Sequence, residues 1–318
     1  MILRVENLSV SYYMEYGKIE AVKNVTFDLE KGEILSIIGE SGSGKSTLAK
    51  AILRAIRYPG KIEEGSKIFF NGTDILSMKE SDFKREILWK RISYVPQSSQ
   101  NSLNNTMRVI DHFYDTAVSH GVNDKEEVKR TAKELLKMVR LDPDRVGKAY
   151  PFQLSGGMKQ RVIIALSLLL NPELIIMDEA VSSLDVATQR YILEIIKDIN
   201  KKTGVSIIFI THDISIAAFI SSRIIVMYAG EIMEEGKTEE VIKNPLHPYT
   251  AGLINSVPSI NSNVSQIKPI KEGYASIEGC PFNNRCEKAM EICKLSEPPI
   301  YNVNNRKVRC FLYGDNKA

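Results

Sequence analysis

The sequence predicts an α/β fold with a parallel central sheet and a small cysteine-containing extension at its C-terminal end. Two near-continuous apolar runs, "ELIIMDE" and "VSIIFITHD", are typical of parallel strands that helices cover on both faces. A stretch of helical character, "QRYILEIIKDINKKTG", lies between them. A glycine-rich loop, "IIGESGSGKST", joins another apolar strand to a helix. This order of strand, glycine loop and helix is typical of phosphate-binding α/β proteins.

The elements alternate along the chain in a way that suggests two domains. A strand-like start leads to the glycine loop and the helical "LAKAILRAI", and short strands around the turn "NGTD" follow. The chain then becomes polar and helical, as in "DKEEVKRTAKELLKMVRL", before the α/β alternation returns. Proline becomes frequent near Pro258, and regular periodicity is weak beyond it. We predict a domain at residues 1–258, with a helical subdomain at about 98–165, and a small irregular extension at 259–318.

The composition excludes some functions. The chain has 318 residues, with 42 Lys and Arg against 39 Asp and Glu, and no basic run longer than a pair such as Lys201-Lys202. A nucleic-acid partner is therefore not predicted. The longest apolar run, Val162 to Leu170, is far shorter than the roughly 18 residues of a membrane span. The start lacks the features of a signal peptide, so we expect a protein that stays in a reducing compartment.

The segment from Gly39 to Thr47 matches the pattern G-x-x-x-x-G-K-S/T in the required context, between a strand and a helix. Glycines allow the backbone N–H groups to turn towards phosphates, and the helix start adds its positive dipole end. We expect Lys45 to reach the β and γ phosphates and Ser46 to bind Mg2+. A glycine turn without a ligand is the alternative. The residues predicted to bind nucleotide are Gly39, Ser41, Gly42, Ser43, Gly44, Lys45, Ser46 and Thr47.

Polar residues at strand ends could complete a hydrolytic site. Asp178 and Glu179 follow a buried strand, where a parallel sheet gathers its ligands. Asp178 would hold Mg2+, and Glu179 would orient and deprotonate the attacking water. His212 ends the next apolar strand, and Gln97 follows "ISYVP". Taken alone, the histidine and the glutamine are ordinary polar residues.

At "LSGGMKQR", which begins at Leu154, the sequence resembles the ATPase subunits of ABC transporters. The phosphate loop lies upstream of this signature and "DEAVSSLD" lies downstream, in the family's order. The resemblance covers nearly the whole chain. It implies a RecA-like P-loop ATPase core with an antiparallel β subdomain and a helical subdomain.

The resemblance also implies roles for single residues. Tyr12 matches the aromatic residue that stacks on adenine, although its neighbour Tyr13 is a possible substitute. Gln97 matches the glutamine that touches Mg2+ and senses the transmembrane partner. Glu179 matches the catalytic base and His212 the histidine that steadies the γ-phosphate.

A second set of residues matches those that bind the ATP of a partner subunit. They are Ser155, Gly156 and Gly157 of the signature, and Asp185 of "SSLD". The resemblance implies that one chain carries two half-sites and hydrolyses ATP poorly alone. Two features depart from the common family pattern. Met158 replaces a glutamine, as in peptide importers, and Ala180-Val181 replaces Pro-Thr.

The segment "NPLHPYTAGLINSVPS" resembles the start of the extension found in ATPases of dipeptide and oligopeptide importers. This implies a peripheral protein at the cytoplasmic face of the membrane. Its expected partners are a second, different ATPase, two permease subunits and, indirectly, an extracytoplasmic peptide-binding protein. Three alternatives remain open: import of another small solute such as nickel, a soluble ABC-type ATPase of iron–sulfur assembly, and a binding module with an inert nucleotide site.

The four cysteines of the chain lie in the extension: Cys280, Cys286, Cys293 and Cys310. Their spacing lacks the paired knuckles of zinc sites, whereas iron–sulfur ligation tolerates looser spacing. We therefore favour a [4Fe-4S] cluster over a zinc ion. Two disulfides and four unrelated thiols are the other options. A metal centre would stabilise a segment with few aliphatic residues.

Overall fold

The computed structural model describes residues 1–97, 101–256 and 270–314. The predicted boundary near residue 258 and the predicted start of the helical subdomain near residue 98 lie outside these ranges. The strands are β1 (Leu3–Met14), β2 (Gly17–Leu29), β3 (Ile34–Ile38), β4 (Gly60–Ile62), β5 (Lys67–Phe70), β6 (Thr73–Asp74), β7 (Ile92–Val95), β8 (Leu174–Asp178), β9 (Ser206–Thr211), β10 (Arg223–Tyr228), β11 (Glu231–Lys237), β12 (Ile300–Val303) and β13 (Arg306–Arg309).

The α-helices vary from single turns to the five turns of α7. They are α1 (Lys45–Ile52), α2 (Glu80–Asp82), α3 (Val109–Ser119), α4 (Lys125–Met138), α5 (Pro143–Lys148), α6 (Gly156–Ser167), α7 (Val186–Thr203), α8 (Ile214–Ile220), α9 (Thr238–Lys243), α10 (Pro248–Asn255) and α11 (Glu291–Leu295). Over the described residues, none of them is both long enough and apolar enough to cross a membrane.

The chain divides into two compact units. The first contains residues 1–3, 29–34 and 69–210. The second contains residues 4–28, 35–68 and the described part of 211–318. Each unit is therefore built from segments that are distant in the sequence.

Parallel strands form the sheet of the first unit. In the order β7, β8, β9, Ile92 lies opposite Leu174, and Leu174 lies opposite Ser206. Every residue of β8 and β9 is buried. This burial explains why both strands read as continuous apolar runs, since neither face meets water.

The helices of the first unit follow local signals in the sequence. In α4, Val128, Ala132 and Leu136 recur at helical spacing and are buried, while the charged residues face outward. The helix starts at Asp124, whose carboxylate accepts hydrogen bonds from two backbone N–H groups of the first turn. Gly204 ends α7 in the left-handed conformation, with φ of 71°. The positions of these helices are therefore consistent with amphipathicity and capping.

The sheet of the second unit is mixed. β3 and β10 are parallel, with Leu35 opposite Arg223. Beyond β10 the strands β11, β13 and β12 follow in that order, all antiparallel. In a second, five-stranded sheet, β1 pairs antiparallel with β4. The glycine loop leaves β3 in this unit.

The C-terminal extension contains a hairpin that the sequence analysis did not predict. β12 and β13 are joined by Asn304 and Asn305, both with positive φ, and β13 pairs with β11 of the sheet. An Asn-Asn pair between two strand-forming runs is a recognisable hairpin signal. The buried side chain of Val308 packs this hairpin onto the unit. The extension is thus joined to the sheet by backbone hydrogen bonds.

Candidate functional site

The phosphate loop turns from β3 into α1 at glycines that cannot be replaced without steric conflict. Gly39 and Gly44 have φ angles of 156° and 100°. A Cβ atom on Gly39 would lie 2.2 Å from the carbonyl oxygen of Met227, and one on Gly44 would lie 2.3 Å from that of Ala21. Neighbouring backbone therefore approaches the loop on two sides because these side chains are absent.

Lys45 is the first residue of α1 and folds back over the loop. Its side chain is buried, and Nζ donates hydrogen bonds to the carbonyl oxygens of Gly39 (2.8 Å) and Glu40 (2.7 Å) and to Ser43 Oγ (3.1 Å). The ammonium group is thus held against the loop that is predicted to receive phosphate. The other predicted loop residues differ in burial: Ser41 and Gly42 are exposed, and Ser46 and Thr47 are half-buried in the first turn of α1.

Two contacts at the phosphate loop were missed by sequence reasoning. The Tyr249 hydroxyl accepts a hydrogen bond from the backbone N–H of Glu40 at 2.9 Å. The Arg285 guanidinium donates to both carboxylate oxygens of Glu40, at 2.7 and 2.8 Å. Tyr249 lies in the "HPYT" stretch, which indicated only a subfamily. Tyr249 is 209 positions from Glu40 and Arg285 is 245 positions from it, so no local sequence pattern could have indicated these contacts.

The two candidate tyrosines for adenine stacking have different surroundings. Tyr12 lies in β1 opposite Gly60 of β4. A Cβ atom on Gly60 would lie 2.8 Å from the Tyr12 ring, so the glycine leaves room for the ring. Tyr13 is 46% exposed, and its hydroxyl donates to Glu63 Oε1 at 2.9 Å. Tyr12 stays the predicted stacking residue.

Asp178 ends β8 and is almost fully buried. The Tyr94 hydroxyl of the neighbouring strand β7 donates to Asp178 Oδ2 at 3.3 Å. Burial raises the pKa of Tyr94, and the negative charge of Asp178 adds to this effect. The phenol therefore stays protonated and acts as a hydrogen-bond donor that orients the carboxylate.

Gln97 and Glu179 lie together at the same edge of the parallel strands. Gln97 Nε2 donates to Glu179 Oε2 at 2.9 Å. Glu179 has a φ of 49°, and its backbone N–H donates to the carbonyl oxygen of Ile210 at 2.9 Å. A glutamate in this left-handed conformation costs about 1–3 kcal/mol, and such strain is concentrated at functional sites. Both side chains are site residues predicted from the sequence, and the first unit brings them into contact.

The signature segment and Asp185 also lie together. Ser155 caps α6, and its Oγ accepts from Met158 N at 3.3 Å. Asp185 caps α7: its carboxylate accepts hydrogen bonds from Thr188 N at 2.9 Å and from Thr188 Oγ1 at 2.6 Å. A Cβ atom on Gly157 would lie 2.7 Å from Thr188 Cγ2, which shows that the two helix starts pack closely. Their side-chain oxygens are exposed, as a surface that meets another chain requires.

The residues after the acidic pair, where the sequence departs from the family pattern, are buried. Ala180 is 4% exposed and Val181 is 2% exposed. Gln189 Nε2 donates to the carbonyl oxygen of Val181 at 3.0 Å. The substitution therefore keeps a packed turn between β8 and α7.

His212 follows β9 in the second unit and is exposed. The next residue, Asp213, caps α8 by accepting a hydrogen bond from Ser215 N at 2.7 Å. The backbone on the C-terminal side of the histidine is therefore fixed by a helix cap.

The four cysteines are free thiols, so the option of two disulfides is not realised. Cys280, Cys293 and Cys310 are buried, and Cys286 is half-buried. Burial raises the pKa of Cys280 to about 12 and that of Cys310 to about 11, and the charges of the other cysteines act in the same direction. Cys280, Cys286 and Cys293 belong to one hydrophobic cluster of the second unit.

The arrangement of the thiols does not match a site for one ion. Among the residues described, no three or more His, Cys, Asp or Glu side chains are grouped so as to hold a metal ion. The predicted zinc alternative is therefore not supported by the structure. An iron–sulfur cluster is larger than a single ion, so its cysteines lie farther apart. Ligation of such a cluster uses free thiols, and the extension supplies four of them, but no group of the described residues identifies a cluster.

Comparison with known proteins bears on the whole chain. Residues 22–182 match the family described as ABC transporter, and residues 233–293 match the family described as oligopeptide/dipeptide transporter, C-terminal region. The chain is 44% identical to a dipeptide transport ATP-binding protein of Caldanaerobacter subterraneus, over 100% of this chain and 98% of that protein. It is 38% identical to an oligopeptide transport ATP-binding protein of Bacillus subtilis, over 96% of this chain and 86% of that protein.

Solved structures confirm the predicted fold class. A dimeric ATP-binding cassette in a post-hydrolysis state, bound to ADP and phosphate, aligns with a TM-score of 0.66 and 31% identity. The alignment covers 74% of this chain and 99% of that one. A protein that is part of a Clostridium perfringens ABC transporter complex aligns with a TM-score of 0.64 and 27% identity. This alignment covers 76% of this chain and 91% of that one.

Proposed function

The chain belongs to the ABC transporter ATPase family, and from this premise we propose that it powers the import of dipeptides or oligopeptides. One observation carries the choice of substrate. The chain matches dipeptide and oligopeptide transport ATP-binding proteins over nearly its whole length, including the C-terminal region that is characteristic of them. The proposed residue roles are those that the family resemblance implies, and contacts within each unit support them.

We propose that the loop from Gly39 to Thr47 binds the phosphates of ATP and that Tyr12 stacks on adenine. The close backbone approach to Gly39 and Gly44 supports the first role, because it shapes a loop whose N–H groups can face a ligand. Mg2+, held by Ser46, Asp178 and Gln97, would neutralise charge on the β and γ phosphates.

Glu179 is the proposed base. In hydrolysis a water oxygen forms a bond to the γ-phosphorus, the bond from that phosphorus to the ADP oxygen breaks, and Glu179 accepts the proton of the water. The hydrogen bond from Gln97 at 2.9 Å supports this role, because it orients the carboxylate without protonating it. His212 is the proposed contact to the γ-phosphate.

A second ATPase subunit is needed to complete each site. Ser155, Gly156, Gly157 and Asp185 are the proposed contacts to ATP held by that subunit. Their support is the close packing of two exposed helix starts, α6 and α7. A helix start carries free N–H groups and a positive dipole end, both of which favour a phosphate.

The proposed assembly contains a second, different ATPase chain and two permease subunits, and it receives peptide from an extracytoplasmic binding protein. The chain would lie at the cytoplasmic face of the membrane. Its domains would be residues 1–258, with a helical subdomain at about 98–165, and residues 259–318.

We propose that Cys280, Cys286, Cys293 and Cys310 hold a [4Fe-4S] cluster. The support is their number and chemistry: all four are free thiols, and Cys280, Cys286 and Cys293 share one hydrophobic cluster. Such a cluster would add structural stability when bound, since metal binding contributes directly to folding. Three of the cysteines, Cys280, Cys286 and Cys293, lie in the hydrophobic cluster that also contains Phe282 and Met290.

The test is to co-purify the chain with its membrane subunits and to measure ATP hydrolysis in proteoliposomes with and without peptide-loaded binding protein. Stimulation by peptides of two to five residues would support the proposal. Stimulation by nickel alone would assign another solute. Hydrolysis without any membrane partner would favour a soluble ATPase of iron–sulfur assembly, and ATP binding without hydrolysis in the complete assembly would identify an inert module.

A further inference from the structure

Glu40, the second residue of the phosphate loop, is held at three points. Its backbone N–H donates to the Tyr249 hydroxyl at 2.9 Å, and its carbonyl oxygen accepts from Lys45 Nζ at 2.7 Å. Its carboxylate receives both hydrogen bonds of the Arg285 guanidinium, at 2.7 and 2.8 Å. Two of the three partners come from sequence beyond residue 247, so the C-terminal part of the chain contacts the loop directly.

Arg285 is itself fixed in place. Its side chain is 8% exposed, whereas that of Glu40 is 36% exposed. Nε donates to the carbonyl oxygen of Lys271 at 2.7 Å, and the guanidinium lies 5.5 Å from the ring centre of Tyr228 and 5.6 Å from that of Phe282. A bidentate pair between a buried guanidinium and a carboxylate is among the stronger hydrogen-bonded contacts in proteins. The contact therefore restrains the loop instead of following its motion.

The position of Arg285 depends on the cysteine segment. Arg285 ends the short turn Asn283–Arg285 and directly precedes Cys286. The backbone of this turn is tied to the cysteines, because Asn283 N donates to the carbonyl oxygen of Cys280 at 2.9 Å. Cys280 N in turn donates to the carbonyl oxygen of Cys293 at 2.7 Å. A change in the fold around the cysteines would therefore move the guanidinium.

The charge of Glu40 gives the contact a consequence for binding. A carboxylate in a loop that receives a triphosphate repels the ligand unless a cation neutralises it. Arg285 supplies that cation, and the three anchors also reduce the conformational freedom that a glycine-rich loop loses on binding.

We propose that Arg285 is a positioning residue for the phosphate loop, which neutralises Glu40 and makes ATP affinity depend on the fold of the cysteine segment. The inference rests on the proposed function, since it concerns the same loop. It predicts that the loss of Arg285 is harmful mainly because it leaves Glu40 charged and unrestrained.

The experiment measures the affinity of the full-length chain for Mg-ATP by calorimetry in five forms: wild type, Arg285→Ala, Arg285→Lys, Glu40→Gln and the double variant of Arg285→Ala with Glu40→Gln. We expect Arg285→Ala to weaken binding about tenfold, in line with an uncompensated charge near the phosphates. Glu40→Gln alone should change affinity less than about threefold, and the double variant should recover most of the loss. The affinity of Arg285→Lys should fall between those of wild type and Arg285→Ala, because lysine keeps the charge but cannot make the two parallel hydrogen bonds to the carboxylate.

A matched control separates this role from a purely structural one. Arg306 is a buried arginine of the same extension, whose Nη1 donates to the carbonyl oxygens of Glu240 and Asn244. Arg306→Ala should lower thermal stability and leave ATP affinity unchanged. If Glu40→Gln fails to restore binding in the Arg285→Ala background, or if Arg285→Ala binds ATP as wild type does, the inference is wrong. Failure of the wild-type chain to bind ATP would instead refute the proposed function.

Discussion

The acidic edge of the first unit and the cysteine extension of the second unit hold their reactive groups in opposite ways. Gln97 and Glu179 lie at the ends of strands and need only one hydrogen bond, 2.9 Å long, to meet. The cysteines are spread over irregular segments, the short helix α11 and the end of β13, and three of the four are buried. The strand ends take their geometry from a regular sheet, whereas the cysteine segment combines local backbone hydrogen bonds with side-chain packing.

Buried ion pairs also hold the extension against β11, so its stability depends on individual side-chain contacts. Glu231 and Glu234 of β11 are 3% and 0% exposed, and they pair with Arg309 at 3.3 Å and Arg306 at 3.6 Å. Burial raises the pKa of both glutamates. Such pairs cost desolvation and stabilise only when both partners are present. The extension should therefore respond to pH and to single substitutions more strongly than the acidic edge does.

The largest expected effect is on catalysis, from a change at the acidic edge. Glu179→Gln removes the proposed base and keeps the shape of the side chain, so we expect turnover to fall at least about 100-fold while ATP still binds. Steady-state ATPase assays in the assembled complex, with a parallel binding measurement, check this. Glu194→Gln, an exposed site on α7, is the control and should be neutral. Hydrolysis at the wild-type rate in Glu179→Gln would remove the proposed base.

A cysteine substitution tests whether the extension holds the proposed iron–sulfur cluster. Cys280→Ala should lower the iron content of anaerobically purified protein from about four atoms per chain to less than one. Stability should fall by about 3 kcal/mol, because metal affinity contributes to folding. Met290→Ala is the control: Met290 packs in the same cluster, so it should cost stability and keep iron. Wild-type protein that binds no iron would disprove the cluster.

His247 supplies a pH test within the extension's packing. Burial lowers its pKa to about 3, and its Nδ1 accepts from Tyr249 N at 3.0 Å. Because the unfolded histidine takes up a proton below about pH 6.5 and the folded one does not, stability should fall by up to about 1.4 kcal/mol per pH unit below 6.5. His247→Asn keeps the acceptor for the helix cap and cannot titrate, so its stability should vary less with pH. Urea unfolding from pH 7.5 to 5 measures both slopes, and parallel slopes would show that His247 does not titrate as expected.

The smallest expected effect concerns a helix cap that is also a proposed ligand. Asp185→Ala should cost about 1 kcal/mol of stability, the usual value for a lost cap. Asp124→Ala removes a similar cap from α4 and should cost about the same. Only Asp185→Ala should reduce ATPase activity in the assembled complex. Equal activity in both variants would limit Asp185 to capping.

The sequence alone determined the features that depend on local backbone. The glycine loop needs φ angles that favour glycine, and the helix starts at Ser155 and Asp185 need a side-chain acceptor at one position. Both requirements are visible in a few consecutive residues. Burial on both faces likewise makes β8 and β9 apolar throughout, which is why the parallel sheet was predictable.

The tertiary structure decided which distant residues meet. Gln97 and Glu179 are 82 positions apart, and Glu40 and Arg285 are 245 apart. Gln97 and Glu179 were predicted as site residues because both lie in family motifs, but the hydrogen bond between them was not predicted. The second pair was not predicted at all, since Arg285 lies in a stretch without periodicity. Contacts of this kind depend on the packing of the whole unit, because the free energy that holds them comes from burial and pairing of side chains and not from local conformational preference.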